Sequence, residues 1–299
     1  MRALNFGSLN IDMVYSVDHT VRPGETTASS SLKYFCGGKG LNQSIALARA
    51  GVEVFHAGCI GENGDMLLEK LHENSVNTDL VVKRDMPNGH AIIQVDKDGQ
   101  NSILLFGGAN KSIDDKYIER VLADFKHGDR LFLQNEINGI DRIISFASEK
   151  GIEIVFNPSP FDKEILSFPL EKISWFVVNE TEAKELTGET DPNKILDIFS
   201  KKYPSANILL TLGGDGSVCK SGKKIYRQQI FKVPVIDTTA AGDTFLGYFF
   251  AILDSCGIGK ALKYAAAAAS IAVSKNGASS SVPSIDEVEQ FLGSVELPH

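Results

Sequence analysis

Residues 237–248 read Asp-Thr-Thr-Ala-Ala-Gly-Asp-Thr-Phe-Leu-Gly-Tyr and set one carboxylate, Asp243, among small residues at the start of a long apolar stretch. Small residues there let backbone N–H groups come close to a ligand, and a helix N-terminus favours negative charge. A carboxylate would repel an anion bound at such a point. It fits if the carboxylate takes a proton from a hydroxyl while the N–H groups hold the phosphoryl group being moved. The residue types imply phosphoryl transfer to an alcohol, with Asp243 as general base.

Other polar clusters sit where short apolar runs end. Gly7-Ser8-Leu9-Asn10-Ile11-Asp12 follows the first run. Asn10 and Asp12 would project from the carboxyl end of a strand, where they could hydrogen-bond vicinal hydroxyls. Taken alone, the motif reads more simply as a turn stabilised by Asn and Asp. Cys36-Gly37-Gly38-Lys39-Gly40-Leu41-Asn42-Gln43 runs into an apolar helix and opens the backbone at its start. It is no P-loop, because the G-x-x-x-x-G-K-[ST] spacing occurs nowhere in the chain. Gln134-Asn135-Glu136 and Asn157-Pro158-Ser159-Pro160 close two further runs. Asn179-Glu180-Thr181-Glu182-Ala183 either faces a ligand or simply caps a helix. Thr211-Leu212-Gly213-Gly214-Asp215-Gly216 ends a run with a glycine-rich turn suited to the phosphates or ribose of a nucleotide.

The elements that must position these clusters alternate along the chain. Strand-like runs fall at residues 3–6, 54–59, 130–133, 153–156, 175–178 and 207–211. Helical patterns lie at 41–50, 64–73, 140–149, 180–186 and 192–201. This alternation predicts parallel strands with helices on both faces, and a ligand crevice beyond the strands' carboxyl ends. Two stretches break the pattern. Residues 23–35 read as an extended excursion, and 90–95 and 102–106 as a hairpin turning through Asp98-Gly99. Together they make a small sheet standing off the main domain, either a lid over a substrate or an ordinary surface hairpin.

The chain has 299 residues, 43% hydrophobic and 23% charged, enough for one large α/β domain. A net charge of −8 argues against nucleic acid or an anionic membrane as partner. Cys36, Cys59, Cys219 and Cys256 form no C-x-x-C pair, and the six histidines form no H-E-x-x-H, so neither a disulfide framework nor a zinc site is expected. The apolar run at 261–273 is interrupted by Lys263 and is short for a bilayer. With no signal peptide expected at the start, the reading is a cytoplasmic protein.

Taken in order, these motifs make the sequence resemble the ribokinase-like (PfkB) carbohydrate kinases. The resemblance is carried by residues 7–12, 37–43, 107–110, 157–160, 179–183, 211–216, 237–245 and 277–283, which follow the family's order along the chain. Both family signatures are present, at 37–40 and 237–245. The resemblance implies a three-layer α/β/α sandwich with a mostly parallel central sheet and a small β-sheet lid. It implies one kinase domain over residues 1–299, with the lid formed by about 13–36 and 88–108.

The resemblance also implies roles. The reaction would be ATP-dependent phosphorylation of the primary 5-hydroxyl of D-ribose. Asn10, Asp12, Gly38, Lys39, Gly40, Asn42 and Glu136 would bind the sugar beside the base Asp243. Asn179, Thr211, Gly213, Gly214, Gly216 and Gly242 would line the ATP site, and Ala240, Ala241 and Gly242 would form the anion hole. Mg²⁺ would accompany ATP. A monovalent cation, K⁺, would be held by Asp237, Thr239, Ala272, Lys275, Gly277 and Ser281, several through carbonyls. A homodimer with paired lids is implied as well.

Three positions depart from the family's habit. Ala266 stands where a polar residue near the adenine is usual, Lys275 where Arg is common, and Cys36 precedes the glycines. The alternatives are a kinase of this family acting on another sugar or a nucleoside, or a sugar-binding regulator without catalysis. The intact Asp243 motif argues against the last.

Overall fold

Runs apolar on both faces build the middle of the molecule. The computed structural model describes residues 2–296. Six parallel strands carry the main sheet: β1 (Arg2–Phe6), β4 (Glu53–Ala57), β9 (Arg130–Gln134), β10 (Glu153–Asn157), β11 (Trp175–Asn179) and β12 (Asn207–Thr211). Two antiparallel strands, β13 (Ser217–Ser221) and β14 (Lys224–Gln228), extend one edge. The spatial order is β14-β13-β12-β11-β10-β9-β1-β4.

Alternate residues of each strand feed opposite faces. Leu131 and Leu133 join one core with Ile154, Phe156, Phe176 and Val178, against helices α3 (Asp115–Leu122), α4 (Ile140–Glu149), α5 (Glu180–Thr187) and α6 (Pro192–Lys202). Phe132, Val155, Trp175 and Val177 join the other, against α1 (Lys39–Arg49), α2 (Asp65–His72), α7 (Ala241–Val273) and α8 (Ile285–Glu296). The molecule is thus the three-layer α/β/α sandwich expected from the sequence.

A second sheet of four strands stands apart, in the order β3 (Ser31–Gly37), β2 (Asn10–Ser16), β7 (Gly89–Val95), β8 (Asn101–Phe106). The β7–β8 hairpin turns through Asp98-Gly99 as expected. The rest differs from expectation. The excursion at 23–35 is a strand only from Ser31, and the sequence did not announce β2 as a strand. A short parallel pair, β5 (Cys59–Glu62) and β6 (Val82–Pro87), also went unread, because the run at 54–59 breaks at Gly58.

Helix α7 is longer than the apolar run at 261–273. It spans 33 residues and bends at Gly257, whose φ of 76° and ψ of 171° are not helical. By length and composition it could cross a bilayer. Here its first half packs Phe249 and Phe250 edge-on to Trp175, with Phe250 also meeting Phe132. Its apolar surface serves the core.

Candidate active site

β1 ends at Phe6, turns through Gly7, Ser8 and Leu9, and the chain leaves at once as β2. Asn10 and Asp12 therefore open a strand of the small sheet. They do not sit on the carboxyl end of β1, as the sequence had suggested. Asn10 is buried, and its Oδ1 accepts from Asn110 Nδ2 at 2.7 Å. Asp12 lies against Gly37, where any side chain would collide with its carboxylate. Burial, and then the neighbouring Glu136, push its pKa up to about 7.

Helix α1 has no side-chain cap of its own, because Gly38 at φ 96° takes the N-cap position. Two distant residues do the work. Glu136, just past β9, accepts from the Lys39 N–H at 3.0 Å, and Ser8 Oγ accepts from the Gly40 N–H at 3.2 Å. Ser8 Oγ in turn donates to Glu136. A carboxylate is favourable at a helix N-terminus. Burial works against the charge of the Lys39 ammonium. The carboxylates of Asp243, Glu136 and Glu182 outweigh it and hold the Lys39 pKa above its usual value.

Asp243 is the third residue of α7 and only 7% exposed. It accepts from Asn42 Nδ2 at 3.2 Å and from Gln43 Nε2 at 2.9 Å. Asn42 Oδ1 is buried with no partner among the described residues, an acceptor free for a hydroxyl. Ahead of Asp243, Ala240 adopts the left-handed conformation, with φ 59° and ψ 10°. The Ala241 N–H donates to Thr238 O at 3.2 Å, while Gly242 and Asp243 N–H have no backbone acceptor. Those two N–H groups are open to an anion.

Gly242 also lines a largely apolar cavity of about 720 Å³. Asn179, Thr211, Gly213, Gly214 and Gly216 form one wall; Thr238, Ala241 and Gly242 form another; Val233, Val235, Phe245, Ala266 and Val273 supply apolar surface. Asn179 is also the N-cap of α5: its Oδ1 accepts from the Glu182 N–H at 2.9 Å, and the Glu182 carboxylate accepts from the Asn179 N–H at 3.0 Å. Ser270, near Ala266, gives its hydroxyl proton to Phe231 O. A second cavity, of about 550 Å³, is lined by Asn10 and Glu136 together with Phe106, Asn110, Lys111, Asn135, Asp141, Asp162 and Glu164.

Asp237, Thr239 and Gly277 form one cluster. Asp237 Oδ1 accepts from the N–H and hydroxyl of Thr239 at 2.9 and 2.6 Å, and Oδ2 accepts from the Gly277 N–H at 3.0 Å. Burial raises the Asp237 pKa, but these hydrogen bonds prevail and leave it below the usual carboxylate range. The Ile236 and Asp237 N–H groups dock on Val273 O, beside Ala272. Lys275 turns its ammonium to Glu287 at 2.7 Å, and Ser281 gives its hydroxyl proton to Ala278 O. The available donors are all oxygens, which suits a hard cation. Among the described residues no group of three His, Cys, Asp or Glu could hold a metal.

Ser8, Gln43 and Gln134 were not singled out from the sequence, yet all three touch this machinery. Gln43 and Gln134 stood inside motifs already noted. Only the fold shows that they meet.

Comparison with known proteins agrees with this geometry. Residues 2–285 match the pattern of the pfkB family carbohydrate kinases. The chain is 36% identical over 299 residues to a ribokinase of Haemophilus influenzae, covering 96% of each protein. It is 31% identical over 296 residues to a deoxyribokinase of Salmonella typhimurium, covering 96% of this chain and 97% of that protein. The structure of Arabidopsis thaliana ribokinase complexed with ribose and ATP superposes with a TM-score of 0.85 at 29% identity, covering 97% of this chain and 98% of that one.

Proposed function

The chain belongs to the pfkB family of carbohydrate kinases, phosphotransferases with an alcohol as acceptor, and within it we propose that the acceptor is the primary 5-hydroxyl of D-ribose and the donor ATP. The observation that carries this reading is the position of Asp243. Its carboxylate is buried against Asn42 and Gln43, one residue beyond Gly242, which lines the 720 Å³ cavity. Base and anion-binding amides thus stand side by side.

ATP would occupy that cavity, with adenine against Val233, Val235 and Ala266 and phosphates running toward Gly242. The sugar would lie among Asn10, Asp12, Gly38, Lys39, Gly40, Asn42 and Glu136, its hydroxyls taken by Asp12 and the free Asn42 Oδ1. Asp243 accepts the hydroxyl proton as the acceptor oxygen bonds to the γ-phosphorus and the bond to the leaving ADP oxygen breaks. The transition state is loose, so the proton leaves late and a carboxylate of ordinary basicity suffices. The N–H groups of Gly242 and Asp243 stabilise charge on the moving group, and the half-buried Lys39 adds a cation. Magnesium bound with ATP supplies further neutralisation of the phosphates. Asp237, Thr239 and the carbonyls of the 272–281 turn would hold a monovalent cation, which supplies positive charge near the anion hole.

The four-stranded sheet would act as the lid, its strands β2 and β3 carrying Asp12 and Gly37 to the sugar. The face opposite Asp12 leaves Leu104 at 67% and Tyr34 at 56% exposed, with Phe106 on the same side, while Phe35 and Ile103 lie on the Asp12 face. Such a face fits pairing with a second copy. A phosphosugar acceptor is disfavoured, because the cavity beside Glu136 sets one Lys111 against Asp141, Asp162 and Glu164.

A coupled ADP-release assay tests the reading. D-Ribose, 2-deoxyribose, hexoses, phosphosugars and nucleosides are compared with and without K⁺. Ribose is expected to give the highest kcat/KM. A higher value for 2-deoxyribose would move the protein to the deoxyribokinase side of its relatives, and no sugar-dependent ADP would end the kinase reading.

A further inference from the structure

Gln43 binds neither of the two ligands in the reading above, yet its amide touches the base. We infer that Gln43 is a positioning residue: its Nε2–H fixes the Asp243 carboxylate, and its own orientation is imposed by two backbone carbonyls, Gly40 O and Val177 O. The inference rests on Asp243 being the base.

Only a donor can face a carbonyl oxygen. Asn5 Nδ2 donates to Gly40 O at 2.8 Å and to Ser44 Oγ at 2.9 Å, which leaves Asn5 Oδ1 as the acceptor. Gln134 Nε2 donates to that Oδ1 at 2.9 Å and to Gln43 Oε1 at 2.7 Å. On the other side, Asn157 Nδ2 donates to Val177 O at 2.9 Å, so Asn157 Oδ1 accepts from Gln43 Nε2 at 3.4 Å. Both chains leave Gln43 a single orientation, with its amino end toward Asp243 Oδ1 at 2.9 Å.

A flipped amide would set two oxygens face to face. Asn5, Gln43 and Gln134 are buried, so an oxygen-to-oxygen contact there would be costly. The charged group facing Asp243 is Lys39 on α1, and Glu136 and Glu182 face Lys39 in turn. None of them can replace the direction that a neutral amide gives to one carboxylate oxygen.

Donation from Gln43 stabilises the ionised base, so losing it should move the acid limb of the rate profile to higher pH. The experiment follows kcat and kcat/KM against pH in Gln43→Met, Gln134→Met and Asp243→Asn, with thermal melting as a check on folding. Gln43→Met is expected to lower kcat roughly ten- to a hundredfold and to shift the acid limb up by about one pH unit, with KM for ATP within about twofold. Gln134→Met should shift it the same way by less. A folded Gln43→Met enzyme with an unmoved limb and kcat overturns the inference. Should that variant not fold, Gln134→Met decides by the same criterion. If Asp243→Asn keeps its turnover, the reading of the base fails first, and that result is separate from either glutamine variant.

Discussion

Gly277 donates its N–H to Asp237 Oδ2 at 3.0 Å across 40 residues of chain, tying the loop after α7 to the loop before it. The same carboxylate holds Thr239 in place three residues ahead of Gly242. Asp237→Ala should therefore loosen the proposed anion hole and the proposed cation cluster together. Half-maximal activation by K⁺ is expected to need roughly tenfold more salt, read as ADP release against K⁺ concentration. An unchanged K⁺ curve would remove Asp237 from the cation site.

Asp243→Asn keeps the shape of the side chain and removes the proposed base. Turnover should fall by roughly two orders of magnitude or more, while ATP still binds by titration calorimetry. Near-normal turnover would sink the assignment.

Asp12 gives a pH signature at the sugar end. Its pKa is pushed up to about 7, and the ionised form accepts from hydroxyls more strongly than the protonated one. Sugar affinity should rise as pH climbs through that value and fall below it. A Kd about tenfold weaker at pH 6 than at pH 8 is expected by calorimetry, with the dependence lost in Asp12→Asn.

His56 sets an acid limit on stability. It is fully buried beside Ser44, and burial pushes its pKa down to about 4 from 6.5. The unfolded chain binds this proton between those values and the folded chain does not, so stability falls as pH drops below 6.5 and levels off near 4. Unfolding free energies from urea titration at pH 7.5 and 5.5 should differ by about 1.4 kcal/mol on this account, and His56→Gln should narrow the gap. An equal gap in the variant would assign the acid loss to other groups.

The outer face of the small sheet tests the assembly. Leu104→Asp puts a charge in the middle of the proposed contact. Light scattering should give twice the mass of one chain for the parent and one chain's mass for the variant, association being weakened roughly a hundredfold or more. A monomeric parent would dismiss the paired lids.

The strands of the parallel sheet were legible because residues such as Leu131, Phe132 and Leu133 are buried on both faces, which makes an unbroken apolar run. β13 and β14 were not, because Ser217, Lys220 and Lys224 dilute two short strands whose pairing is decided by their neighbours. Helix α3 carries local signals, a capping Asp114 and apolar Tyr117, Ile118, Val121 and Leu122 at helical spacing, and adds a helix to those expected. At the site, the glycine loop and the Asp243 motif declared themselves by composition. The bond between Gln43 and Asp243 joins residues 200 apart, and no local pattern encodes it.

The capping of α1 by Glu136 has an evolutionary consequence. One side chain both closes the start of that helix and lines the acceptor cavity. A lineage that altered Glu136 to recruit a new sugar would also fray the turn that holds Asn42 and Gln43 against the base. On the proposed reading, acceptor preference drifts at less cost through residues of the same cavity that hold no helix end, such as Phe106.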